Sequence, residues 1–267
     1  MKPLPESPVW DPVTQELHWV DLRNALLHTT RWNGPTRTFD LSAHASVLGT
    51  IVAHATGHLI AALDGSLATV TAQGEVSPLV SLEDDPALRL NDGACDPSGR
   101  LWVGSMARDA TPGAGSLFRV TPHGITRVLT GLTVPNGLGW SPDGRTMYVT
   151  DTGPRTITAY DYDASTGTLT APRTFVTLTE GQPDGLTVDA EGHLWIASWN
   201  GAQVLRYSAT GALDRAVDVP APEVTACTFA GPALSTLAVT MTAPAALHLA
   251  ETPTQGQPPT AYEGLLP

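Results

Sequence analysis

Leu101-Trp102-Val103-Gly104-Ser105 is a short apolar run of β-formers that the chain repeats in five variants. They are Leu17-His18-Trp19-Val20-Asp21, Leu59-Ile60-Ala61-Ala62-Leu63, Met147-Tyr148-Val149-Thr150-Asp151, Leu194-Trp195-Ile196-Ala197-Ser198 and Leu237-Ala238-Val239-Thr240-Met241. From the start of one run to the next the intervals are 42, 42, 46, 47 and 43 residues. A period in the forties is what four short strands and their turns consume in a propeller blade. A β-sandwich has no reason to repeat six times at so even an interval. The expected fold is therefore all-β, a six-bladed β-propeller formed as a single domain over residues 1–267.

Outward from each run the pattern holds. Asp96-Pro97-Ser98-Gly99, Ser141-Pro142-Asp143-Gly144 and Asp189-Ala190-Glu191-Gly192 carry hairpin-turn chemistry just before their runs, which makes each run the second strand of a hairpin. Further strand candidates follow, such as Leu26 to Trp32, Ser116 to Val120, Ile157 to Tyr162 and Val204 to Tyr207, giving roughly four strands per blade.

Composition narrows the function. The chain has 42% hydrophobic and 15% charged residues, with 25 Gly and 23 Pro, a balance suited to short strands and tight turns. A formal charge of −12 repels phosphate backbones and anionic lipid, so neither nucleic acid nor a membrane is an expected partner. Cys95 and Cys227 are too few for a disulfide framework and read as small buried apolar residues. No apolar segment follows Lys2 as a secretory signal would require, and no run approaches the ~20 residues of a spanning helix, so a cytoplasmic protein is expected.

Ten to twelve residues before each run lies the start of the innermost strand, the one that lines a propeller's channel. Those positions hold Glu6, Leu48 or Gly49, Asn91, Asn136, Asp184 and Thr225. Asn-Gly and Asp-Gly are common turn signals taken singly, but here they share one phase, and Glu6 has no Gly behind it. Equivalent positions in a rotational repeat lie on one ring, so Glu6, Asn91, Asn136 and Asp184 are expected to meet at one mouth of the channel. Carboxylates brought together there raise each other's pKa unless a cation neutralises them. Oxygen donors suit a hard cation such as Ca²⁺, Mg²⁺ or Mn²⁺, and Zn²⁺ is also compatible. The eight histidines show no paired metal-ligand spacing and receive no chemistry.

Several stretches together resemble the senescence marker protein 30 family, also called the regucalcin or gluconolactonase-like family. They are Glu6-Ser7-Pro8-Val9-Trp10, Arg89-Leu90-Asn91-Asp92-Gly93 with Asp96 to Arg100, Pro135-Asn136-Gly137-Leu138, Asp143-Gly144 to Asp151, and Pro183-Asp184-Gly185 with Asp189 to Trp195. The resemblance spans almost the whole chain. It implies one divalent cation, with Ca²⁺ the leading candidate, held by Glu6, Asn136 and Asp184. It also implies that Arg89 and Asn91 contact substrate hydroxyls, that Asp109 is a further substrate contact, and that Asp184 doubles as general base in opening a sugar lactone. Relatives usually carry a leading strand that closes the ring. Here five residues precede Glu6, which leaves closure to the segment near Tyr262 or to a looser contact.

The expected partner is thus a small-molecule sugar lactone, met by a monomer or weak homo-oligomer. A phosphotriesterase or aryl esterase on the same site, and a non-enzymatic calcium-binding propeller, are the competing readings, since fold alone does not fix substrate.

Overall fold

The computed structural model describes residues 1–264 as 23 strands in six antiparallel sheets, with no helix among them. Blade 1 is β1 (Pro5–Asp11), β2 (Glu16–Asp21), β3 (Leu26–Arg31) and β4 (Thr36–Asp40). Blade 2 is β5 (Leu48–Ala53), β6 (Leu59–Leu63), β7 (Ser66–Val70) and β8 (Val76–Ser81). Blade 3 is β9 (Leu88–Cys95), β10 (Leu101–Ala107), β11 (Gly115–Thr121) and β12 (Gly124–Leu132). Blade 4 is β13 (Pro135–Trp140), β14 (Thr146–Asp151), β15 (Thr156–Asp163) and β16 (Thr168–Thr177). Blade 5 is β17 (Gln182–Val188), β18 (Leu194–Trp199), β19 (Gln203–Tyr207) and β20 (Leu213–Asp218). Blade 6 has three strands, β21 (Val224–Ala230), β22 (Thr236–Thr242) and β23 (Ala245–Glu251). The architecture is the six-bladed propeller that the repeat predicts, and each repeated run is a blade's second strand.

Each blade buries its faces against its two neighbours, so the core is divided into six separate clusters, one per blade interface. Trp102 of blade 3, for example, packs with Leu138, Trp140 and Tyr162 of blade 4, and Trp195 of blade 5 packs with Phe229 and Val239 of blade 6. The cluster joining blades 6 and 1 has the fewest buried members: Trp10 and Leu17 against Ala230 and Ala238. Thr225 Oγ1 adds a buried hydrogen bond of 2.6 Å to Pro5 O at that seam. The ring therefore closes by side-chain packing of β1 on blade 6.

The segment after β23 does something else. It crosses the end of the channel where the inner strands finish. Ala190 N–H donates to Gln255 O, Gln257 Nε2 donates to Trp140 O at 3.0 Å, and Tyr262 exchanges backbone hydrogen bonds with Ala53 and Ala55. Tyr262 is 2% exposed and packs with blades 2 and 3, far round the ring from the seam it was a candidate to close. Gln257, Pro258, Pro259 and Thr260 floor a central cavity of about 200 Å³.

Candidate metal centre at the channel mouth

All six inner strands lose regular pairing at the same place. The register shifts between Glu6 and Val9, Leu48 and Ile51, Pro135 and Leu138, Pro183 and Leu186, and Val224 and Ala226; in blade 3 it shifts opposite Leu90 to Gly93. A bulge leaves residues unpaired and re-aims their side chains. Here it does so six times around one axis. The residues at and beside these shifts form two stacked layers, with Glu6 and Ala226 still paired to Val20 and Thr240. The outer holds Glu6, Gly49, Asn91, Asn136, Asp184 and Thr225; the layer beneath holds Ser7, Thr50, Asp92, Gly137, Gly185 and Ala226.

The glycines after Asn136 and Asp184 lie inside strands, so they are not turn residues. A Cβ on Gly185 would sit 2.4 Å from Ala226 Cβ, and one on Gly137 would sit 2.2 Å from Leu186 N. They allow adjacent blades to approach closely enough to converge on the axis.

A proline precedes each residue expected to hold the cation, and each proline carbonyl is held by the neighbouring blade. Pro5 O accepts from Thr225, Pro135 O from Asn91 Nδ2 at 2.9 Å, and Pro183 O from Thr152 Oγ1 at 2.8 Å. Asn136 Nδ2 donates to the same Thr152 hydroxyl at 3.2 Å. Asn136 Oδ1 accepts no hydrogen bond among the described residues and is the end left for a ligand.

Glu6, Asn136 and Asp184 are 8%, 6% and 5% exposed, and the charges of the two carboxylates interact. Burial pushes Asp184 well above the usual carboxylate range, and the charges of Glu6 and Asp92 push it further, with the Asn136 carboxamide opposing. Glu6 is pushed up to about 8 by burial and then by Asp92, against the Ser7 N–H and Arg89. Asp92 is raised to about 6 by burial, opposed by the Gly93 N–H and Thr50. Asp184 Oδ1 is buried with no hydrogen-bond partner among the described residues. An orphaned carboxylate oxygen among mutually repelling acids and a carboxamide oxygen is a donor set that a hard divalent cation fits.

Arg89 and Asn91 stand at the same mouth, tied to each other. Arg89 Nη1 donates to Asn91 Oδ1 at 2.7 Å and to Leu90 O at 3.1 Å. Burial and the nearby Arg108 lower Arg89 to about 10, which still leaves it cationic at neutral pH. Asn91 spends both ends of its carboxamide, on Arg89 and on Pro135 O, so it braces blade 3 against blade 4 as well as facing the mouth. Asp109 is not at a ring position. It is fully exposed after β10, with Oδ1 accepting from Thr111 N and Oγ1 at 3.0 and 2.7 Å, bonds that hold it below the usual carboxylate range.

Two features escape a reading by phase. Asp92 lies one residue off the ring position and reads as the middle of an Asn-Asp-Gly turn. Asp189, Glu191 and His193 also cluster closely enough to share an ion, with ligand atoms within 4.8 Å of one another. There, however, Arg206 already supplies the positive charge, through Nη2 at 2.7 Å to Asp189 and 2.5 Å to Glu191, while Trp195 Nε1 donates to Asp189 at 2.9 Å.

With this geometry in place, the comparison with known sequences is specific. The model of the family described as SMP-30/gluconolactonase/LRE-like region matches residues 4–243. The chain belongs to this family. Among its relatives, pentonolactonase XacC of Haloferax volcanii is 38% identical over 240 residues, covering 89% of this chain and 81% of that protein. Regucalcin of Danio rerio is 33% identical over 242 residues, covering 88% and 81%. Among solved structures, the calcium-binding protein regucalcin from Agrobacterium tumefaciens superposes with a TM-score of 0.90 at 30% identity, covering 97% of this chain and 93% of that one.

Proposed function

We propose that the chain opens a sugar lactone, converting an aldonolactone to its aldonic acid, with one divalent cation held by Glu6, Asn136 and Asp184. The observation that carries the reading is Asp184. A carboxylate 5% exposed, with an orphaned oxygen and two more carboxylates acting on it, is costly unless something cationic sits against it. Membership in a family with a pentonolactonase relative supports the lactone, and the calcium-binding regucalcin of Agrobacterium tumefaciens supports Ca²⁺ first, with Mg²⁺, Mn²⁺ and Zn²⁺ as further candidates.

Once bound, the cation would supply Lewis-acid polarisation of the lactone carbonyl. The chain's own groups do the rest. Because residues 257–260 floor the cavity beneath the ring, substrate reaches Asp184 from the mouth where the inner strands begin. Arg89, fixed by Asn91 and the Leu90 carbonyl, presents its remaining N–H groups to sugar hydroxyls and orients the ring. Asp184 takes a proton from the attacking water as its oxygen bonds to the acyl carbon. The acyl carbon–ring oxygen bond then breaks, Asp184 returns the proton to the ring oxygen, and the new carboxylic acid ionises. Asn136, pinned through Thr152, keeps the site's geometry during these transfers.

The test is an assay of chelator-stripped protein on pentono- and hexonolactones, with each of the four cations added back, alongside a phosphotriester and an aryl ester. Loss of lactone turnover on stripping and its return with one cation is the expected result. Full turnover in excess chelator contradicts the metal role. A higher rate on the phosphotriester or aryl ester reassigns the substrate, and metal binding without hydrolysis of any of them makes the chain a binding protein.

A further inference from the structure

We propose that Asp92 sets the charge of the cation site from beneath, holding a divalent ion in the ring electrostatically from the channel side while taking no part in substrate contact. This rests on the reading of Glu6, Asn136 and Asp184 as cation ligands.

The layer under the ring is divided. On one half, Ser7 Oγ and Thr50 Oγ1 share a hydrogen bond of 2.6 Å, and Thr50 Oγ1 donates at 3.3 Å to Asp92 Oδ1, which also accepts from Gly93 N–H at 2.8 Å. The other half is Gly137, Gly185 and Ala226, which carry no side-chain polar atoms at all. Asp92 is thus the one carboxylate in its layer. Its Oδ2 has no hydrogen bond among the described residues, and the cavity of about 200 Å³ that it lines has no Lys, Arg or His in its wall. Asp92 is half-buried, and a carboxylate facing an enclosed cavity with no counter-ion in its wall is ordinarily paired or removed. The groups that do feel its charge are Glu6 and Asp184, which share its sign. Bracing Thr50 does not explain the charge, because an asparagine oxygen would accept the same two hydrogen bonds. What only the carboxylate provides is a negative potential directed at the ring.

The floor made by the segment at residues 257–260 and the ring above it separate Asp92 from substrate, so its effect should be read in binding of the ion. Partners behind the direct ligands of a metal typically change affinity by about 10- to 100-fold.

The experiment is calorimetric titration of calcium chloride into chelator-stripped wild type, Asp92→Asn and Asp184→Asn, with thermal melting of each in chelator. The expected result is a calcium dissociation constant about 10- to 100-fold weaker for Asp92→Asn, together with a higher melting temperature in chelator, because a charge of the same sign as Glu6 and Asp184 is gone and its hydrogen bonds remain. Calcium affinity within about twofold of wild type for Asp92→Asn, with Asp184→Asn impaired, overturns the role of Asp92 and leaves the ring intact. A lower melting temperature for Asp92→Asn assigns it to bracing and likewise overturns the proposal. Wild type that takes up no calcium, or Asp184→Asn that binds as wild type does, overturns the reading of the ring itself.

Discussion

Asp184 and Asp189 belong to the same blade, five residues apart, and are 5% and 0% exposed. Their surroundings differ in every other respect. Asp189 is fully partnered: Arg206 with two N–H groups, the Trp195 indole N–H, and the backbone N–H groups of Glu191 and His193. Asp96 repeats the arrangement in blade 3 with Arg100, Trp102 and the Tyr162 hydroxyl, because the Asp-x-x-Gly-x-Leu-Trp stretch recurs there. Asp184 has an oxygen with no partner, and Glu6 and Asp92 act on it. A buried carboxylate with its acceptors filled stabilises a fold. One left bare among its own kind spends stability, which proteins do at sites that bind or react.

The contrast can be broken by exchanging what the two residues are for. Asp184→Asn should reduce lactone turnover by about 1000-fold or more, since both the ligand and the proton acceptor are lost, while its melting temperature in chelator stays at or above that of wild type. Asp189→Ala should do the reverse. Arg206 keeps Glu191 and Asp214, but it and the Trp195 indole N–H lose their buried acceptor, which costs about 1–3 kcal/mol, a fall in melting temperature of about 5 °C for a chain of this size, with calcium affinity of the folded protein unchanged. Equal melting temperatures for the two variants would erase the distinction between the clusters.

Acidity sharpens it. In the metal-free protein Glu6 is raised to about 8 from an ordinary 4.5, so between those values the folded state holds a proton that the unfolded state has released. The stability linked to Glu6 is therefore present below about pH 4.5 and lost as pH rises through about 8. Chelator-stripped protein should melt several degrees lower at pH 8.5 than at pH 5.5, and saturating calcium should flatten that slope. A stripped protein that gains stability with rising pH over this range would contradict the repulsion on which the site is built.

How much of this the amino-acid sequence carries depends on what the repeat can express. The blades were legible because Leu-Trp-type second strands and Asp-x-x-Gly turns recur at a fixed interval, and the outer layer was legible because Glu6, Asn136 and Asp184 share one phase within it. Asp92 was hidden by that same logic, being one residue out of phase. The signal that could have found it is its contrast with the small residues at the equivalent positions: Ser7, Thr50, Gly137, Gly185 and Ala226. The six bulges leave no mark in composition, since they are set by how neighbouring blades meet at the axis. The closing segment from Thr252 to Gly264 has neither alternation nor apolar periodicity, because it is held by backbone hydrogen bonds and by a few side chains such as Gln255, Gln257 and Tyr262. Asp109 is a position to which family resemblance alone points: its Oδ1 accepts from Thr111, and no repeat phase marks it.

The most direct test is anomalous scattering from crystals grown with manganese. The account predicts a peak bounded by Glu6, Asn136 and Asp184, with Asp92 beneath it, and none beside Arg206. No peak in the ring, or a peak confined to Asp189, Glu191 and His193, would contradict it.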